Sequence, residues 1–122
     1  MSNHVDRFYA AVAVLASHQN IKKRLVSAYE DHLEEIEDDE LPIAVREGFA
    51  DLRRVMHRVA PLNGEGTICA SVRKMSRVEA GEVAQSILDL YREVLLSADD
   101  NQVDLPLDND AIAVPAFLSK TG

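Results

Sequence analysis

Residues 45–59 have the sequence VREGFADLRRVMHRV, in which apolar side chains recur every three or four positions. This spacing places one continuous apolar stripe along a helix of 3.6 residues per turn. The stripe consists of Val45, Phe49, Leu52, Met56 and Val59. The segment therefore predicts an amphipathic helix packed against other helices, and Pro61 and Gly64 are expected to end it.

Three further stretches have helical spacing. The stretch from Val5 to Ala16 is apolar nearly all round, as expected of a central core helix or of an oligomer interface. A second apolar face extends from Ile21 to Ile36, and the sequence leaves open whether these two stretches form a hairpin or one long rod. The last begins at Ser76, which has capping-box spacing with a glutamate three residues on. Together these patterns predict an all-α fold, a small antiparallel bundle of three or four helices over residues 1–96.

Residues 97–122 differ in character from the bundle. The first part, SADDNQVDLPLDND, is acidic and contains Pro106, and the second part, AIAVPAFLSKTG, is apolar but interrupted by Pro115. Acidic, proline-containing segments bury too little apolar surface to order themselves. We predict a weakly ordered acidic tail that is either flexible or docks back onto the bundle.

The overall composition bounds the function. The chain has 21 acidic and 13 basic residues and a formal net charge of −8, which opposes general binding to nucleic acid or to an anionic membrane. The N-terminal sequence MSNHVDRF lacks the cationic and apolar regions of a signal peptide. A single cysteine cannot form an internal disulfide. These features predict a cytoplasmic protein without membrane association.

Charges of opposite sign occupy separate blocks of the sequence. Acidic residues dominate positions 30–40, whereas cations dominate positions 53–77. One interpretation is that both blocks are solvated faces that neutralise each other across the bundle. The alternative is a pair of docking patches that steer a partner. The candidate anion-binding patch consists of Arg53, Arg54, Arg58, Arg73, Lys74, Ser76 and Arg77.

Residues 60–76, APLNGEGTICASVRKMS, separate two helical patterns and contain two glycines and the lone cysteine. Glycines let backbone N–H groups approach a ligand, and a helix begins at Ser76, so this segment could bind an anion near Arg73 and Lys74. It lacks the spacing of a phosphate-binding P-loop. A structured connection between two helices is the favoured interpretation, and the anion site is the alternative.

His57 and Cys69 are candidates for chemistry. The segment LRRVMHRV around His57 resembles the region of the phosphorylated histidine in histidine-phosphotransfer domains, which are also four-helix bundles. In that family a lysine and a glycine follow the histidine within a continuing helix, whereas Ala60 and Pro61 stand in those places here. A nucleophilic thiol needs a nearby base, and no local motif pairs Cys69 with a histidine, so an inert thiol is predicted.

No other pattern predicts catalysis. Helical di-iron bundles need Glu-x-x-His pairs on two helices, and the chain contains none. We therefore predict no catalytic residue, no metal and no cofactor, and expect a non-enzymatic cytoplasmic adaptor or regulator that acts through protein contacts, with a homodimer through the first helix. The alternative is a regulator that binds an anionic ligand or nucleic acid through the basic patch. A small enzyme or a phosphotransfer module is the least favoured hypothesis.

Overall fold

The computed structural model describes residues 3–102, with side chains described for residues 3–98. This part of the chain contains five α-helices and no strand, so the all-α prediction is confirmed. The helices are α1 (His4–Leu15), α2 (Ile21–Ala28), α3 (Ile43–Met56), α4 (Thr67–Arg73) and α5 (Arg77–Gln102). A π-helical turn, Tyr29–Leu33, continues α2, and a short 3-10 turn, Asp38–Glu40, precedes α3.

Polar side chains begin three of the helices by accepting hydrogen bonds from first-turn N–H groups, which otherwise have no partner within the helix. The bonds join Asp6 N to Asn3 Oδ1 (2.9 Å), Lys23 N to Asn20 Oδ1 (3.0 Å) and Glu79 N to Ser76 Oγ (2.9 Å). The predicted Ser76 cap is therefore confirmed. The Glu79 carboxylate pairs with Arg58 in the segment after α3, so the capping box is only half formed.

The first two helices form a hairpin, which resolves the question that the sequence left open. α1 ends at Leu15, residues 16–20 reverse the chain, and α2 packs back against α1. Arg24 holds this turn together, because its guanidinium donates to the carbonyl oxygens of Leu15 (2.5 Å) and Gln19 (2.6 Å). A cation is favourable where the last carbonyls of a helix lack N–H partners.

The helices pack antiparallel around one core. Gly48 of α3 lies against Leu90 of α5, and farther along the same groove Val55 faces the earlier residue Val83, so α3 and α5 have opposite directions. At the centre of the core, Phe8 of α1 and Phe49 of α3 are fully buried and meet edge to face, with ring centroids 6.0 Å apart. Of the predicted stripe, all members except Val59 are buried.

The prediction that Pro61 and Gly64 end the third helix is wrong by about one turn. α3 ends at Met56, and His57 leaves the helical conformation with φ −123° and ψ 17°. Val59 then lies outside the helix, where its N–H donates to the buried Ser71 Oγ at 3.0 Å. α3 therefore ends before it reaches Pro61, and the residues after it contact the following segment instead.

Residues 60–76, which the sequence predicts as a structured connection between two helices, contain a helix of their own, α4. Ile68 and Val72 of α4 are buried, and Met75 beyond its end is buried too. Their spacing of four and three is the apolar pattern of a short helix. The true loop turns sharply at Asn63 (φ 52°) and Gly64 (φ 84°), a left-handed conformation that asparagine and glycine tolerate.

The predicted boundary between bundle and tail at residue 96 falls inside α5, which continues to Gln102. The predictions about order and docking of the tail concern residues 97–122, of which 103–122 lie outside the described part of the chain. None of the helices within that described part combines the length and the apolar character that crossing a bilayer requires.

Candidate functional site

The arginines of the predicted anion patch are largely paired with carboxylates of the protein itself. Four ion pairs join Arg53 to Asp38 (2.9 Å), Arg54 to Asp51, Arg58 to Glu79, and Arg73 to Glu65 (2.7 Å). Ser76 caps α5, as described above. Lys74 and Arg77 remain without an ion pair among the residues whose side chains are described. Four of the five arginines in the predicted patch therefore have a carboxylate partner within the protein.

The Arg53 side chain is held in place by contacts within the protein and is not a free surface cation. Its guanidinium donates to the carbonyl oxygen of Ile36 at 2.6 Å as well as to Asp38. The same group lies over the ring of Phe49, with Cζ 4.9 Å from the ring centroid. This cation–π contact and the two charge-assisted hydrogen bonds fix the segment before α3 against the core.

A different set of cations collects at one end of the bundle. The start of α2 contributes Lys22, Lys23 and Arg24. The end of α4, the residue after it and the start of α5 contribute Arg73, Lys74 and Arg77, and we call these six residues the positive end. Lys22 joins the two halves, because its ammonium donates to the Arg73 carbonyl at 3.1 Å. Residues 16–24 and 66–78 contain no acidic residue, so the sequence marks each half of the cluster as basic, and the packing of α2 against α4 brings the two halves together.

Two cavities open at the positive end. One, of about 530 Å³, is lined by Asn20, Ile21, Lys22, Arg24 and Arg77. The other, of about 290 Å³, lies between α2 and α4 and is called here the α2/α4 groove. Its lining residues are Gln19, Lys22, Lys23, Val26, Ser27, Cys69, Val72 and Arg73. The groove thus has cations at its rim and apolar side chains, with the cysteine, inside.

A second surface is apolar and lies where α1 meets α5. Tyr9 is 62% exposed, and its ring is tilted against that of Tyr91, with centroids 6.4 Å apart. Leu88 and Leu95, three before and four after Tyr91, are 37% and 38% exposed and share its side of α5. Val5, four residues before Tyr9, is half-buried. These five residues constitute the α1/α5 face.

His57 connects three segments of the chain. Its Nδ1 is 2.7 Å from Thr67 Oγ1 at the start of α4, and its Nε2 is 2.9 Å from Glu34 Oε1 just after the π-helical turn. Both ring nitrogens are therefore engaged within the protein, whereas a phosphoryl acceptor needs one of them free. The π-helical bond from the Glu34 N–H to the Tyr29 carbonyl (2.9 Å) brings this carboxylate to the histidine.

The Tyr29 side chain is fully buried next to His57, with ring centroids 6.1 Å apart. Its hydroxyl forms no hydrogen bond with the residues that the structure describes. Burial, reinforced by the negative charge of Glu34, raises the pKa of Tyr29 above its ordinary value of 10.0. A buried hydroxyl in this position stays protonated when tyrosines of an unfolded chain ionise.

This raised pKa predicts a loss of stability at alkaline pH. The contribution is fully present below about pH 10, and above it the unfolded chain releases a proton that the folded chain retains, which costs about 1.4 kcal/mol per pH unit. We expect Tyr29→Phe to change the free energy of unfolding by less than about 1 kcal/mol at neutral pH, since no hydrogen bond is lost. Between about pH 10 and pH 11 the variant should lose less stability than the wild type. Urea unfolding across this pH range checks both points, and parallel losses in the two proteins would contradict the assignment.

Cys69 is a free, half-buried thiol on α4 that lines the α2/α4 groove. Among the residues that the structure describes, no three His, Cys, Asp or Glu side chains come together in a way that could hold a metal ion.

No protein-family model, curated protein or solved structure matches this chain. The residues and surfaces described above are therefore the basis for assigning a function.

Proposed function

We propose that this protein is a non-enzymatic helical adaptor or regulator of the cytoplasm that acts through protein contacts and forms a homodimer through the α1/α5 face. The observation that carries the proposal is the exposure of Tyr9 in the middle of this apolar face. Large apolar side chains that are exposed side by side, rather than singly, mark contact surfaces in soluble proteins.

The geometry of the α1/α5 face suits self-association. Its residues lie on two helices that already pack against each other, so the surface is a rigid platform rather than a mobile loop. Tyrosine and leucine are side chains that contribute apolar contact area at modest entropic cost. A two-fold axis through this face would bring the same side chains of both copies together, as in most homodimers.

The non-enzymatic part of the proposal is supported by the environments of the two residues that a reaction would use. His57 has both ring nitrogens engaged by Thr67 and Glu34. Cys69 is half-buried, and its pairing with a histidine is not marked by any motif of the sequence. Both residues are accounted for by packing and hydrogen bonding.

We expect the wild-type chain to scatter light as a dimer, with twice the single-chain mass of 13.5 kDa, at micromolar concentration. Tyr9→Asp should shift the mass to that of one chain, because an aspartate carboxylate buried in an apolar interface would have no partner. The fold should survive this change, since Tyr9 is largely exposed within each chain. Light scattering after gel filtration measures the mass, and circular dichroism measures the helix content.

Val78→Asp is the matched control, because Val78 is 71% exposed on the first turn of α5, away from the α1/α5 face. An aspartate is favourable at that end of a helix, and this variant should remain a dimer. A wild-type mass equal to one chain, or equal dissociation by both variants, would refute the proposed interface.

A second candidate function, regulation through an anionic ligand, is favoured by the positive end. Three residues of the predicted patch, Arg73, Lys74 and Arg77, belong to the positive end. Arg54 and Arg58 do not belong to it, and they pair with Asp51 and Glu79. Binding of a polyanion such as nucleic acid would weaken steeply with added salt. The net charge of −8 acts against such long polyanions but not against a short acidic ligand.

A further inference from the structure

We propose that the α2/α4 groove, with the positive end around it, binds an acidic segment of a partner protein that carries apolar side chains. The inference rests on the proposed function as a protein that acts through protein contacts. The partner segment is acidic and apolar, and the surface that binds it is separate from the α1/α5 face. Three properties of the groove support it: an apolar floor, a cationic rim and a small volume.

The floor of the groove is apolar. Val72 of α4 is almost fully buried beneath it, and Val26 of α2 is half-buried and packs against the core. The half-buried Cys69, which behaves as a small apolar side chain, lies beside them. Val26 and Cys69 keep part of their apolar surface exposed, and an occupant that covers it with leucine or phenylalanine would gain the free energy of removing that surface from water.

The rim of the groove is cationic, and within the described part of the chain its lining includes no acidic residue. Lys23 is exposed, and its side chain has no ion pair within the described part of the chain. The Lys22 ammonium donates to the Arg73 carbonyl oxygen and has no ion pair among the residues whose side chains are described, so this hydrogen bond does not neutralise its charge. Arg73 is already paired with Glu65, so the two lysines are the main source of attraction for a carboxylate.

The neighbouring cavity extends this positive field. It shares Lys22 with the groove and adds Arg24 and Arg77, and none of its described lining residues is acidic. A segment with several carboxylates could therefore lie across both cavities while its apolar side chain enters the groove. Complementary charge of this kind steers association and selects the partner.

The same features disfavour other ligands. None of the described residues that line the groove is aromatic, so they offer no stacking surface to the bases of a nucleic acid. The volume of about 290 Å³ lies at the lower limit of the roughly 300–1,000 Å³ that is usual for small-molecule sites. An apolar side chain of a peptide fits such a space better than a whole cofactor.

The test uses the full chain and a fluorescein-labelled peptide, EEDLFDDLEE, measured by fluorescence anisotropy at low and at physiological salt. We expect saturable binding that weakens as salt rises, since the attraction is electrostatic and screened. The peptide QQNLFNNLQQ, which has the same shape without charge, and the peptide EEDSSDDSEE, which lacks apolar side chains, should each bind about tenfold more weakly or not at all.

Two charge reversals locate the site. Lys23→Glu at the rim should weaken binding by about tenfold, because attraction becomes repulsion. The fold should be kept, since glutamate is favourable in the first turn of α2. Arg54→Glu makes the same change of charge on α3, away from the groove, and should leave the affinity within about twofold. Circular dichroism confirms that both variants fold.

Cys69 supplies an independent readout, because it is the only cysteine of the chain and lines the groove. A saturating concentration of EEDLFDDLEE should slow the reaction of its thiol with a disulfide reagent by several-fold. Absence of binding at low salt, equal effects of the two charge reversals, or unchanged Cys69 reactivity with peptide bound would each overturn the proposal. Tyr9→Asp should still bind the peptide, so failure of the dimer interface and failure of the groove are distinguishable.

Discussion

Phe49→Ala is expected to lower the free energy of unfolding by about 3–5 kcal/mol, which is usual when a fully buried phenylalanine is removed. Phe49 has no exposed surface and meets the ring of Phe8 edge to face at 6.0 Å. The alanine would leave a cavity between α1 and α3 and would also remove the surface on which Arg53 lies. Because the total stability of a small domain is about 5–15 kcal/mol, this variant should be close to unfolding.

Urea unfolding followed by circular dichroism measures this change. Phe49→Leu keeps most of the volume and should lose clearly less stability than the alanine variant. Ile43→Ala is the control for a surface position, because Ile43 is 80% exposed, and it should change the free energy of unfolding by less than about 0.5 kcal/mol. A loss below about 1 kcal/mol for Phe49→Ala would contradict the packing described here.

Arg53→Ala is expected to lower the free energy of unfolding by about 2–4 kcal/mol, an unusually large effect for an arginine that is partly exposed. The guanidinium donates to the Ile36 carbonyl and to Asp38, and it lies over the Phe49 ring. Removing it leaves these acceptors without their donor and uncovers the ring. The segment between the π-helical turn and α3 should then be held less firmly.

Arg54→Ala is the matched control for Arg53. The neighbouring arginine pairs only with Asp51, and both side chains are exposed, so its removal should cost less than about 1 kcal/mol. Comparison of the two variants by urea unfolding at the same pH measures the difference directly. If both variants lost the same stability, the structural role assigned to Arg53 would be wrong.

The helices with a long apolar stripe were predictable from the sequence. Periodicity reports which residues of a helix face the core, and the stripe of α3 from Val45 to Met56 is buried as predicted. Ser76 was predictable as a cap because a short polar side chain at a helix start satisfies a free N–H group. These features depend on local chemistry, which a single sequence contains.

The features that depend on contacts between distant residues were not predictable in this way. α3 ends at Met56 because His57 binds Thr67 and Glu34, which lie ten and twenty-three positions away. The short α4 has only seven residues. An apolar pattern of that length is weak evidence for a helix, and the glycines before it indicate a loop. A helix of this length depends on tertiary packing for its stability.

The candidate sites were predictable only in part. The block of cations was visible in the sequence, but which of them have carboxylate partners depends on the fold. Arg58, for example, pairs with Glu79, twenty-one residues later. Lys22 and Lys23 belong to the positive end because α2 packs against α4, a neighbourhood that sequence spacing does not report.

The left-handed turn at Asn63 and Gly64 also makes this chain suitable for division into two fragments. The turn is exposed, and it separates a fragment with α1, α2 and α3 from one with α4 and α5. The core residues Phe49 and Ile87 come from different fragments, so neither fragment can bury its apolar side chains alone. Two polypeptides broken at this turn would therefore be complementary, each acting as the folding template of the other.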